Sequence, residues 1–170
     1  MCSCDRCTYA RSSAIILYDF CKALHIPVTV YGHSTSGSSV ELYSYAEFES
    51  IDNDDKYRMM DIAARGSNRD GAALRFVAEQ LVKRPEEVKI LILVSDGQPA
   101  APGYYGSAAE EDLRGIRQEY RRKGVLFIAA AIGEDKQNIE RIYGDSFMDI
   151  TDLNQLPVKL TAAVKRHMRV

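Results

Sequence analysis

Hydrophobic and polar positions change their period several times along this chain, and each change marks an element. Between Thr8 and Leu24 the residues Ala10, Ala14, Ile15, Leu17, Tyr18 and Cys21 recur at helical spacing, predicting a helix that buries one broad face and is ended by Pro27. Pro27 to Tyr31 is short, β-branched and aromatic, Gly32 to Ser39 is rich in Gly and Ser, and Val40 to Tyr43 resumes an extended pattern. This reads as a hairpin at a sheet edge. The acidic stretch 52–61 carries a short helical pattern in Tyr57, Met59, Met60 and Ile62. From Gly71 a run of strong helix formers extends to Val82 and is stopped by Arg84-Pro85, with Asn68 or Asp70 expected to cap its start.

Ile90 to Val94 is uninterruptedly apolar between Lys89 and Ser95-Asp96-Gly97, as expected of a parallel strand covered on both faces. Gln98 to Ser107 reads as a long polar loop, Glu110 to Lys123 as an amphipathic helix stopped by Gly124, and Val125 to Ile132 as a second buried strand. Helix, strand and terminal helix follow at Asp135 to Tyr143, Phe147 to Ile150 and Leu153 to Met168. Alternation of this kind predicts a three-layer, Rossmann-like α/β sandwich on a mostly parallel sheet with one antiparallel edge. Such sheets bind ligands beyond the carboxyl ends of their strands.

At 170 residues the pattern fits one domain with a sizeable core. Lys plus Arg number 22 against 24 Asp plus Glu, so no global field recruits nucleic acid or a membrane surface. No apolar run approaches the length that spans a bilayer, and no secretory signal is visible, which makes the cytoplasm the expectation. Cys2, Cys4 and Cys7, with Cys21, could hold zinc or an iron–sulfur centre, although reduced thiols are the simpler reading. His25, His33 and His167 show no catalytic zinc spacing, and neither a nucleophile elbow nor a phosphate-binding loop is present. The basic residues Arg114, Arg117, Arg121, Arg122 and Lys123 recur at helical spacing among Glu110, Glu111 and Glu119 and read as a solvated, ion-paired face.

Two oxygen-rich loops should meet at the carboxyl edge: Gly66-Ser67-Asn68-Arg69-Asp70-Gly71 before a helix and Ser95-Asp96-Gly97-Gln98-Pro99 after a strand. Asp96 can start a turn or hold a hard cation; Ser67, Asn68 and Asp70 can add oxygens to that cation, and Asn68 and Asp70 can cap the helix. Tyr104 and Tyr105 fall in the loop after Asp96, where they ring a partner-binding surface or pack the loop down.

Val94-Ser95-Asp96-Gly97 together with the segment from Gly66 to Leu74 resembles the second and third metal-site motifs of von Willebrand factor A domains. Asn68 followed by Asp70-Gly71 narrows the resemblance to NorD-type nitric oxide reductase activation proteins and CobT cobaltochelatase subunits. It implies a magnesium or manganese site with Asn68 and Asp96 as ligands and Ser67 and Asp70 beside them. It further implies a non-enzymatic interaction module working with a MoxR-type AAA+ ATPase to activate or metallate a target metalloenzyme. Such domains open with a central strand ending in Asp-x-Ser-Gly-Ser-Met, and Met1 stands where that Met would be. The resemblance therefore predicts a C-terminal piece of a longer protein with its first central strand missing, weak or no metal binding, and an open sheet gap suited to self-association. A magnesium-dependent hydrolase or phosphoryl-transfer domain is the alternative, with Asp96 or Asp70 as nucleophile or metal ligand.

Overall fold

A computed structural model describes residues 4–49, 54–95, 97, 99–131, 136–150 and 152–168. Helix α1 (Cys4–Ala23) stops four residues short of Pro27. It is closed by His25 in the left-handed region (φ 56°), which lets the Ile26 N–H return to the Cys21 carbonyl at 2.8 Å and the His25 N–H to Lys22 at 3.1 Å. Strands β1 (Val30–Ser36) and β2 (Ser39–Ala46) pair antiparallel as a two-stranded sheet. The Gly- and Ser-rich stretch read as loop is therefore mostly strand, and only Gly37 and Ser38 turn, with Gly37 at φ 59°. Cross-strand packing overrides local propensity here: a Cβ on Gly32 would lie 2.8 Å from the Tyr45 ring.

After α2 (Asp55–Met59) and α3 (Asp70–Val82) come β3 (Lys89–Ser95), then β4 (Ala100–Ala101) and β5 (Tyr104–Tyr105), an antiparallel pair inside the segment expected to be loop. Helix α4 (Gly106–Arg122) starts a turn earlier than predicted and is followed by β6 (Val125–Ala131), α5 (Lys136–Tyr143), β7 (Phe147–Asp149) and α6 (Leu156–Met168). Strands β3, β6 and β7 form a parallel sheet in the order β3-β6-β7, with Ile90 opposite Leu126 and Val94 opposite Ala130.

Alternation along β6 separates the layers. Val125, Phe127 and Ala129 face Leu74, Ala78, Leu113, Ile116, Tyr120, Ile139 and Tyr143 of α3, α4 and α5. Ile128 and Ala130 face the other way, into clusters that include Leu17 of α1 and Leu156 and Leu160 of α6. Gly115 costs α4 about 1 kcal/mol in propensity, but Leu113, Ile116 and Tyr120 bury completely at ~1.5–3 kcal/mol each for an apolar side chain, so packing decides. On the hairpin side Tyr18 donates to Asp55 at 2.6 Å, and Asp55, fully buried, also pairs with Arg58, tying α1 to α2. No helix among the described residues is long and apolar enough to cross a membrane.

The hairpin and the parallel sheet are separate sheets: among the described residues no backbone hydrogen bond joins β1 to β3, and no strand lies between them. Helices hold them in one body instead. Ala14 and Ile15 of α1 lie with Val30 and Tyr45 on the hairpin, while Ala10, Ile16 and Leu17 lie with Ile92 and Val94. On the opposite face Phe76 of α3 meets Tyr31 edge-on at 6.0 Å, and Leu74 and Ala78 pack with Leu91 and Leu93. This is the α/β sandwich expected from the sequence, with mostly parallel pairing and an antiparallel edge.

Cys7 and Cys21 are free, half-buried thiols on one helix, and burial raises the Cys21 pKa. Fourteen residues of helix separate them by about 21 Å, too far to share one metal. Cys2 and the Cys4 side chain lie outside the described residues. Along α4 the basic face is ion-paired, Arg114 to Glu110, Arg117 and Arg121 to Asp145, and Lys123 to Glu119 and Glu79.

Candidate functional site

Residues 66–70 cross the carboxyl end of the molecule as a single extended rung between two hairpins. On one side Thr35, near the end of β1, bridges Ser67: its N–H donates to the Ser67 carbonyl at 2.8 Å, and its Oγ1 accepts the Arg69 N–H at 3.0 Å. On the other side Asn68 bridges Ala100 of β4, with backbone N···O distances of 3.4 and 3.2 Å. Gly66 is required where the rung begins, since a Cβ there would lie 2.9 Å from both Ser34 Oγ and the Thr35 carbonyl. Asn68 of the first oxygen-rich loop thus reaches Ala100, the residue that follows the second.

Neither Asn68 nor Asp70 caps α3, contrary to expectation. Arg69 occupies the cap position without a side-chain cap bond, and the carboxamide of Asn68 is directed elsewhere. Its Oδ1 accepts the Ala100 N–H at 2.9 Å, and its Nδ2 lies 3.3 and 3.4 Å from the two oxygens of Asp70. Asp70 is the first residue of α3 and only 3% exposed; a carboxylate there suits the positive end of the helix. His33 Nε2 stands 3.5 Å from Asp70 Oδ1, while its buried Nδ1 has no hydrogen-bond partner among the described residues.

The β4–β5 hairpin is fastened from beneath. Tyr104 donates to Asp112 Oδ2 at 2.7 Å, and Asp112 also takes a bidentate pair from Arg75 at 2.5 and 3.2 Å. Arg75 holds the Asp112 carboxyl below its usual range, whereas burial, followed by the bond to Asp112, pushes Tyr104 upward. Arg69 donates to the Pro102 carbonyl at 2.6 Å, with its guanidinium 5.9 Å from the Tyr104 ring centre. Tyr104 is thus half-buried, while the neighbouring Tyr105 is 69% exposed at the rim. Tyr143, stacked on Phe127 at 5.4 Å, turns a fully buried hydroxyl with no partner among the described residues toward this region. Burial first, and then the charge of Asp70, raises its pKa.

Of the residues singled out by sequence, Ser67, Asn68 and Asp70 lie on the rung, Tyr104 and Tyr105 beside it, and Asp96 lies outside the described residues. Ser95, at the end of β3, exchanges contacts with Gly97 through its hydroxyl at 3.3 and 3.4 Å. The donors are hard oxygens and fit magnesium or manganese in kind, but no three His, Cys, Asp or Glu side chains among the described residues form a metal cluster. Thr35, His33, Asp112 and Arg75 were not foreseen. Their sequence separations from the loop carry no motif, and His33 sits in a stretch whose composition suggested a turn.

A family model described as the cobalamin biosynthesis protein CobT VWA domain matches residues 57–168. An uncharacterized protein of Bacillus subtilis, YojO, is 24% identical over 176 aligned positions, covering 95% of this chain and 27% of that protein. Protein NorD of Brucella suis is 34% identical over 97 residues, 55% of this chain and 15% of NorD. The chain therefore spans less than a third of the length of either relative. Among solved structures, proximal thread matrix protein 1 of the mussel byssus superposes with a TM-score of 0.62 at 20% identity over 95% of this chain and 43% of that one, a likeness of fold alone. With the family model covering most of its length and the sandwich built as expected, the chain belongs to the CobT-type von Willebrand factor A domain family.

Proposed function

We propose that this chain is a protein-interaction module of a NorD-like accessory protein, not an enzyme, and that its partner-facing end is the loop cluster around 66–71 and 97–105. In this reading Ser67, Asn68, Asp70 and Asp96 would hold a divalent cation, magnesium or manganese. Bound there, the cation supplies a Lewis-acidic position for a carboxylate of the partner, a MoxR-type AAA+ ATPase that acts with the module to activate or metallate a target metalloenzyme. The observation that supports the reading is the bridge from Asn68, in the first oxygen-rich loop, to Ala100, just after the second, near the end of β1 and beyond the carboxyl end of β3. Asp70 brings negative charge, the backbone bridges keep the rung extended, and Tyr105 offers an exposed aromatic contact beside it. Magnesium prefers six near-octahedral oxygens, so this chain alone is expected to bind it weakly.

The test has two arms. Paramagnetic manganese titrated into isotope-labelled protein should broaden the amide signals of 66–71 and 97–100 before all others, and Asp96→Ala should remove that selectivity. Immobilised chain should retain a purified MoxR-class ATPase in magnesium and release it in EDTA. Equal retention in EDTA would count against a cation-bridged partner, and phosphate-ester turnover abolished by Asp96→Ala would replace the module with a hydrolase.

A further inference from the structure

The geometry points to Asn68 as a positioning residue that clamps the β4–β5 hairpin to Asp70, so that the loop site stays assembled with no cation in it. The inference takes the place of the site from the reading above, but the clamp itself is independent of any cation. Three observations carry it. Asn68 Oδ1 accepts the Ala100 N–H at 2.9 Å, and the Asn68 carbonyl shares the same N–H at 3.2 Å, so Ala100 is held by one residue twice. The other end of the same carboxamide lies 3.3 and 3.4 Å from the two oxygens of Asp70, orienting a carboxylate that is almost fully buried. The hairpin and the rung are fixed again by Arg69 on the Pro102 carbonyl and Tyr104 on Asp112, neither of which involves a cation.

The choice of side chain follows from this task. Ala100 presents a donor and Asp70 an acceptor, so the residue between them needs one acceptor and one donor on a short, rigid fork; among ordinary side chains of this length only Asn carries both. The orientation is forced for the same reason, since the flipped amide would place N–H against N–H and oxygen against carboxylate. An Asp at 68 would keep the acceptor but set two carboxylates against each other. A Thr would be too short to span both partners.

Amide hydrogen exchange followed by NMR, in EDTA, tests the clamp without any cation. In the wild-type chain the Ala100 amide is expected to be protected. Asn68→Ala should speed its exchange roughly tenfold, the effect of one lost hydrogen bond, while amides of β6 keep their protection. Asn68→Asp should also speed Ala100, although a carboxylate is a better cation ligand than an amide. Should Asn68→Ala fold poorly, the wild-type measurement and Asn68→Asp still decide. An unprotected Ala100 in the cation-free wild type would overturn the proposal. So would unchanged protection in Asn68→Ala with manganese broadening at 66–71 abolished, which would make Asn68 a ligand. Failure of manganese to bind any version would remove the cation reading and leave the exchange result standing.

Discussion

Two glycines place opposite demands on their helices. A Cβ on Gly71 would run into Tyr104 Oη and Asp112 Oδ2 and lie 3.2 Å from Ile116 Cδ1, whereas a Cβ on Gly115 meets nothing within 4 Å. Alanine gains about 1 kcal/mol of helix propensity at either position. At Gly71 overpacking costs ~1–3 kcal/mol and must also displace a hydrogen-bonded pair, so Gly71→Ala is expected to be net destabilising by about 1–2 kcal/mol. Gly115→Ala is expected to stabilise by roughly 0.5–1 kcal/mol. Urea midpoints of both variants check this; a stabilised Gly71→Ala would mean that Tyr104 is not seated against α3. The Asp-Gly pair was legible in the sequence as part of an oxygen-rich loop. That its glycine makes room for Tyr104 and Asp112 was not, because those contacts come from residues more than thirty positions away.

Between elements, the Glu110 carboxylate of α4 reaches α5. Glu110 is 5% exposed and receives Arg141 through two hydrogen bonds, the longer at 2.6 Å, with Arg114 at 3.3 Å. Arg141 holds the Glu110 carboxyl below its ordinary range, outweighing the upward pull of burial. A lowered folded-state pKa means stability that is present above the unfolded value of about 4.3 and is lost as pH falls through the folded value. Glu110→Gln should therefore lower the urea midpoint at pH 6 and shrink the further drop seen on acidification to pH 3. Asp112, Glu79 and Glu86 are shifted the same way, so part of the drop remains. An unchanged acid-induced drop in the variant would show that the pair contributes nothing. Helix boundaries were readable to within about a turn because burial at a 3.6-residue period leaves a direct mark on composition. The short β4–β5 pair was missed because two-residue strands leave no periodic mark, and the bridge from Ala100 goes to Asn68, far back along the chain.

At the scale of the whole molecule, two sheets share one set of helices: no backbone hydrogen bond joins β1 to β3 among the described residues, and the outer edge of β1 is held at Thr35 by Ser67 while β3 pairs only with β6. The other edge of β3 is a template for another strand. At low protein concentration, amides along β3 should alternate between slow and fast exchange, while β6, paired on both sides where β7 reaches it, is protected more continuously. If a second copy pairs at this edge, β3 should become uniformly protected as concentration rises, together with a dimer in sedimentation. An alternating pattern and a monomer at every concentration would rule out self-association through the gap.

The hydrophobic pattern alone determined the alternation of helices and parallel strands and the burial of β3 and β6 on both faces. These properties are local: period, apolar run length and turn residues are written in neighbouring positions. Only the tertiary structure decided that 32–36 is strand, that Arg69 takes the cap position, that Asp70 faces His33, and that Asn68 reaches Ala100. Each of these depends on a partner brought close by folding, and a hydrogen bond or a steric contact between distant residues leaves no period in the sequence that makes it.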